Sequence, residues 1–426
     1  MDKFIAVIGM IILLALAFAL SNNKKAINYK TVGVGLALQI LFGVFIFKVP
    51  VGQQIFLWIG RAIEKLLDFA NVGGKFVFGH LLEADKLQLA FGPDASVLFS
   101  VQLVSATIFM MMIVNILYYY GIMQRIVAFL GKLMNKLMKV SGAEALSNVA
   151  SAFVGQVTAQ IMIKPYLAKL TRSELLSSMA GSMACTSGAM MPIYAVMGIP
   201  IEYVLASAVM AIPGALVMTK LVYPETAVPE TMENIKLSKR RTHSNVFDAI
   251  ASGASEGMMV SLNVIAMLLA IVALIAMIDY ILAGFGGFIY NLFHLTGPIL
   301  GFDLPALSLK MILGKFFAIF ALIMGTPVQD IFNVGGVIGL KIVSNEVYGY
   351  TDLIAIKDVI SNKAFVITSF AICSFGNFGS IATQIGAIGG LAPNQRKNIA
   401  RLGMRALICG TFTCFMSACI AGILVG

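Results

Sequence analysis

The sequence predicts an all-α polytopic membrane protein, with eight transmembrane helices and two opposed re-entrant hairpins forming inverted repeats. Three observations carry this: a composition too apolar for a soluble domain, basic loops confined to one side of the spans, and polar interruptions at membrane depth. Of 426 residues, 59% are hydrophobic and only 12% charged, with a mean hydropathy of +0.92; an ordinary soluble domain carries roughly 25% charge. Several uncharged runs exceed the ~20 residues that span a bilayer. The net charge of +10 comes from short clusters between apolar runs and not from one basic, aromatic-interleaved face. It therefore describes topology and not the binding of a nucleic-acid polymer. Cys185, Cys373, Cys409, Cys414 and Cys419 lie in apolar segments without paired spacing and read as small core residues.

The first span runs from Phe4 to Leu20 and lacks the cleavage pattern of a signal peptide. Lys24, Lys25 and Lys30 separate it from the second, Thr31 to Phe47, which places both termini outside by the positive-inside rule. Val51 to Asp94 has mixed charges and the amphipathic pattern FLWIGRAIEKLLDFA, so it is expected to be an extracellular or peripheral helix and not a crossing. The third span, Ala95 to Tyr120, leads into MQRIVAFLGKLMNKLMKV, where Arg125, Lys132, Lys136 and Lys139 recur opposite Ile126, Phe129, Leu130, Leu133 and Leu137. That is the pattern of a basic interfacial helix, on the inner side.

Ala145 to Ile163 is uncharged, yet Gly155, Gln156, Thr158 and Gln160 sit in its middle. Non-helical backbone survives at membrane depth only when buried in protein or lining a polar cavity. The segment is therefore predicted as a hairpin with Gly155 and Gln156 at its tip. The fourth span, Leu175 to Ile199, is interrupted by ACTSGAMMP (Ala184 to Pro192); the fifth is Tyr203 to Thr219. Pro224 to Asn245, containing KLSKRR (Lys236 to Arg241), reads as an inner linker. The sixth span, Gly257 to Ile278, ends at an interfacial Asp279, and the outer stretch Tyr280 to Leu304 has no Lys or Arg.

Phe316 to Gln329 and Ile331 to Leu340 are each too short to cross, so Leu307 to Leu340 is predicted as the second hairpin, with GTPVQD (Gly325 to Asp330) at its tip. The seventh span, Ala364 to Gly390, is interrupted by CSFGNFGS (Cys373 to Ser380). After the basic run Asn394 to Arg405 comes the eighth, Ala406 to Val425. The implied units are scaffold and interfacial helices (1–140), a first transport repeat (141–222), an inner linker (223–248), a scaffold span with an outer segment (249–304), and a second transport repeat (305–426). A hairpin followed by an interrupted span, repeated in opposite orientation, points to a secondary transporter that binds at the midplane.

The order NKKAIN, GQVT, SEL (Ser173 to Leu175), SFGNFGSI and LAP resembles the concentrative nucleoside transporter family in its short bacterial form, over essentially the whole chain. The resemblance implies a homotrimer in the bacterial inner membrane, in contact with lipid, that imports nucleosides by symport through an elevator-like motion. It places an acidic residue of the second hairpin tip, Asp330, with Phe375, Asn377 and Ser380 on the following helix, at the ribose. A carboxylate accepts from sugar hydroxyls, an amide both donates and accepts, and a ring packs on the sugar face.

The family's first hairpin reads Gly-Gln-Thr-Glu. Here Gln156 is kept, but Val157 and Thr158 replace Thr-Glu, and Met190 stands where the next helix shapes the base site, which implies altered base selectivity. Sodium-coupled relatives use an Asn and a Ser where this chain has Ser151 and Cys185, with Thr186 nearby. A thiol is a poor ligand for a hard cation, so H+ is the expected coupling ion over Na+, with no cofactor. Two other readings remain: a symporter of a modified nucleoside or nucleobase-like solute, and a membrane-embedded enzyme. The enzyme would need an acid and base pair or a zinc motif, and the sequence offers neither. His80, His243 and His294 form no cluster, and Glu346 in SNEV is expected to be structural or a network partner.

Overall fold

The computed structural model describes residues 2–92, 98–232, 243–294, 297 and 302–425. The start of the predicted third span at Ala95, the KLSKRR cluster and part of the Tyr280 to Leu304 stretch lie outside them. α1 (Asp2–Ala19) and α2 (Tyr29–Lys48) are apolar spans. Asn28 caps α2, its side chain accepting from the amides of Lys30 and Thr31 at 3.1 and 3.2 Å. α3 (Pro50–Phe78) starts at a proline and leaves Trp58 and Phe76 exposed; α4 (Ala84–Phe91) follows. Neither is among the helices long and apolar enough to cross a membrane. α5 (Phe99–Tyr119) is the third span and α6 (Ile122–Met138) the basic amphipathic helix.

The first hairpin is α7 (Gly142–Val154) and α8 (Gln156–Met162), extended by the short α9 (Lys164–Leu167). The S-x-x-E start of α7 and the T-x-x-E start of the next helix both close as capping boxes, Ser141 with Glu144 and Thr171 with Glu174. α10 (Arg172–Ala184) and α11 (Met191–Val196) are the two halves of the broken fourth span, and α12 (Ile201–Val222) is the fifth.

α13 (Val246–Leu292) corrects the predicted sixth span, which was to end at Ile278. It is one helix of 47 residues, about 70 Å long at 1.5 Å per residue and more than twice the ~30 Å hydrocarbon core. Asp279 does not terminate it, because its carboxylate accepts the Leu309 amide at 2.7 Å. That bond fastens α13 to the start of α14 (Leu309–Ile323).

The second hairpin falls one helix later than the sequence suggests. After α14 come α15 (Ile331–Val343), the non-helical Ser344, and α16 (Glu346–Ala355), capped by Asn345. Then come α17 (Asn362–Ile372) and α18 (Phe378–Leu391), the halves of the broken seventh span, and finally α19 (Arg396–Leu424). α7 and α15 both have 13 residues, and each is followed by a one- or two-residue break, a short helix and a capped half-span. α14 is thus the counterpart of α6, and Ser344 to Glu346 is the counterpart of the Gly155 tip. The apolar run Ile331 to Leu340 ends at Lys341 in the sequence, but this lysine is 1% exposed and α15 continues through it.

Candidate functional site

The first hairpin tip and both helix breaks converge. Gly155 has a φ of +84°, a region that favours glycine, and a Cβ there would stand 3.1 Å from Ser187 Cβ and 4.0 Å from the Phe375 ring. Cys185 to Ser187 run extended after α10, and Cys373 to Asn377 separate α17 from α18. The breaks satisfy each other directly, the Phe375 amide donating to the Cys185 carbonyl at 3.2 Å. This pairing answers the need to bond freed backbone groups inside the membrane.

The second break is organised by Lys341. Its ammonium donates to Ser374 Oγ at 2.7 Å and to the Gly376 carbonyl at 2.6 Å. It thereby grips alternate residues and leaves the intervening Phe375 and the following Asn377 side chains to other partners. Asn377 caps α18, its Oδ1 accepting the Ser380 amide at 2.9 Å, while Ser380 Oγ donates to the Phe375 carbonyl. The Asn377 amino group keeps its capacity to donate.

At the second tip the Glu346 carboxylate, 4% exposed, faces the Tyr194 hydroxyl and lies within electrostatic reach of Lys341. Tyr194 in turn pairs with Thr186 Oγ1 at 2.9 Å. Asn345 accepts the Tyr348 amide at 2.9 Å through Oδ1, and its Nδ2 has no hydrogen-bond partner among the described residues. A buried carboxylate, amide donors and an aromatic ring together suit a ligand rich in hydroxyl groups.

Asp330 requires correction. Its carboxylate accepts from the Ser361 amide at 3.2 Å and the Ser361 hydroxyl at 2.6 Å. Ser361 caps α17, and the 11 residues of that helix put about 16 Å between its cap and the second break. In this structure Asp330 supports the start of α17, and the acidic residue at the second tip is Glu346. Gln156 is half-buried and meets Gln384 of α18, whereas Val157 and Thr158 are exposed on α8. Met190 is half-buried in the turn before α11, its amide donating to the Ser187 carbonyl at 2.9 Å.

The hydroxyls expected at the ion site are committed to neighbours. Ser151 donates to the Ser147 carbonyl at 2.7 Å and meets Ser182 Oγ at 2.9 Å, and the Cys185 thiol points to the Ala208 carbonyl at 4.0 Å. A separate cavity of about 440 Å³, lined in part by Asp68, Lys75 and Gln102, contains none of these residues. Lys341 and Gln384, which the structure brings to the two tips and the second break, were not singled out in the sequence, and Glu346 was expected to be structural or a network partner. Ionisable groups buried in a membrane protein are functional by default, and that signal was present at Lys341 and Glu346.

Two inverted hairpins and two broken helices meeting at one polar centre define a secondary transporter. Family models match most of the chain: Na+ dependent nucleoside transporter N-terminus over residues 8–81, nucleoside recognition over 100–200, and Na+ dependent nucleoside transporter C-terminus over 203–422. The chain is 33% identical to the nucleoside permease NupC of Helicobacter pylori, covering 100% of this chain and 98% of the relative. It is 38% identical to the uncharacterized transporter YutK of Bacillus subtilis, covering both in full. The solved structure of CNTnw in an inward-facing substrate-bound state superposes with a TM-score of 0.90 at 34% identity, over 100% of this chain and 98% of that one. The chain belongs to the concentrative nucleoside transporter family: it is a multi-pass membrane transporter of nucleosides and not an enzyme.

Proposed function

We propose that this transporter imports ribonucleosides by proton-coupled symport, holding the ribose between Glu346 on the second tip and Phe375, Asn377 and Ser380 at the second break. The observation that carries this reading is Lys341, which fixes the backbone on both sides of Phe375 and leaves the carboxylate, amide and ring for the ligand. Glu346 accepts from sugar hydroxyls, and Asn377 donates to one. Val157, Thr158 and Met190 belong to an altered base end. Proton coupling is favoured because Cys185 sets a thiol at this position, buried against the Ala208 carbonyl, and sulfur is a poor ligand for a hard cation such as Na+.

Alternating access moves the body built from the two hairpins and broken helices against a scaffold that includes α13. Support comes from relatives: CNTnw has structures in inward-facing and intermediate states on the same fold. Assembly as a homotrimer and an outside position for both termini complete the proposal. The test is uptake into proteoliposomes of ribonucleosides and their 2′- and 3′-deoxy counterparts. Uptake is expected to favour the ribo form. Equal uptake of all three would overturn the sugar assignment, and no nucleoside uptake would overturn the whole reading.

A further inference from the structure

We propose that Gln384 is a specificity-determining residue that reads a donor N–H on the nucleobase through its Oε1 atom, as one half of an amide pair with Gln156. This rests on the nucleoside reading above. Gln384 is fully buried in α18. Its Nε2 lies 3.4 Å from Gln156 Oε1 at the first tip, while its own Oε1 has no hydrogen-bond partner among the described residues. Leaving a buried acceptor unbonded is costly, so the oxygen is suited to a donor from a bound ligand.

Its place on the helix fits the base. Asn377, Ser380 and Gln384 follow one another at three- and four-residue spacing and share a face of α18. Gln384 stands about 6 Å along the axis from Ser380, a step of the kind that separates a nucleoside's base from its sugar. With ribose at Asn377 and Ser380, the base is directed towards Gln384 and the first hairpin tip.

Gln160 is the internal contrast. It too is a buried glutamine beside this hairpin, but both ends of its amide are engaged: Ser178 Oγ donates to Oε1 at 2.8 Å, and Nε2 donates to Ser182 Oγ at 2.9 Å. Gln160 therefore fastens α8 to α10, whereas Gln384 retains an open acceptor. Thr158 leaves the first hairpin without a carboxylate at that position, and the Gln384 oxygen supplies an acceptor from the opposite helix. Amide orientation is set by the hydrogen-bond pattern; the reverse orientation would leave a donor, so the test must discriminate the two.

The full-length protein in proteoliposomes is assayed with uridine and inosine, each paired with its analogue methylated on the ring N–H. Wild type is expected to prefer the unmethylated member by roughly tenfold or more, and Gln384→Leu to reduce that ratio towards one. Gln384→Glu, which keeps a carbonyl acceptor at this position, is expected to keep the preference. An unchanged ratio in folded Gln384→Leu overturns this inference alone, as does a wild type indifferent to methylation, a result that needs no variant. Failure of wild type to take up any nucleoside overturns the nucleoside reading itself.

Discussion

Asp330 and Glu346 are both buried acids in apolar surroundings, yet their partners give them different work. The Asp330 carboxylate is bonded to the capping residue of α17, so Asp330→Ala removes support from a helix start. Such losses are typically about 1 kcal/mol. The expected result is a lower melting temperature with a nearly unchanged KM, and a large rise in KM in a stable variant would return Asp330 to the ligand. Glu346→Gln keeps the volume but removes the charge. A hydrogen bond to a charged group contributes about 1.5–3 kcal/mol, so KM for a ribonucleoside is expected to rise roughly ten- to hundredfold. The effect should shrink for a deoxynucleoside that lacks the hydroxyl in question. The position of Phe375, Asn377 and Ser380 at the second break was legible in sequence, because the GNFGS pattern interrupts an apolar span. Which acid stands at the second tip was not legible, since Asp330 and Glu346 both follow apolar runs and only the contacts to Ser361 and Tyr194 separate them.

Among the elements, those defined by one strong local signal were the easiest to read. Basic spacing along α6, the Gly155 break and the interruptions at Cys185 and Cys373 all survive in the fold. Two boundaries did not, and both involve charges satisfied inside protein. Asp279 marked an apparent end to α13 but bonds the Leu309 amide, and Lys341 marked an apparent end to an apolar run but holds the second break. A charge in a sequence announces a boundary only if no buried partner awaits it, and partners distant in sequence are not visible there. Gly155 illustrates the opposite case, where a residue type alone fixes local geometry. Gly155→Ala puts a Cβ at a φ of +84° and a ψ of 172°, close to Ser187; this region is essentially reserved for glycine and costs on the order of 1–3 kcal/mol for other residues. Assembly should persist while uptake falls severalfold or more. Uptake equal to wild type at matched protein levels would show that the tip tolerates displacement.

At the scale of the molecule, the inverted repeat sets two related breaks side by side but equips them differently. Lys341 places its side-chain nitrogen at the second break, bonded to Ser374 and Gly376. The first break has neutral neighbours in Ser151, Ser182, Cys185 and Thr186, whose polar hydrogens already have protein acceptors or shared partners. Na+ binding there would place a thiol, Cys185, beside a cation that prefers oxygen. Proton movement demands no oxygen ligand at that position. An inward proton gradient without sodium is therefore expected to drive nucleoside accumulation, and collapsing it with a protonophore to abolish accumulation. A sodium gradient at equal pH on both sides should have little effect. The reverse pattern, sodium-driven accumulation that survives the protonophore, would mean that the first break opens into a cation site during the cycle. Cys185→Ser separates these outcomes further: it supplies a hard oxygen in place of sulfur, so a sodium-coupled protein should gain apparent Na+ affinity, whereas a proton-coupled one should keep its pH dependence and remain indifferent to sodium.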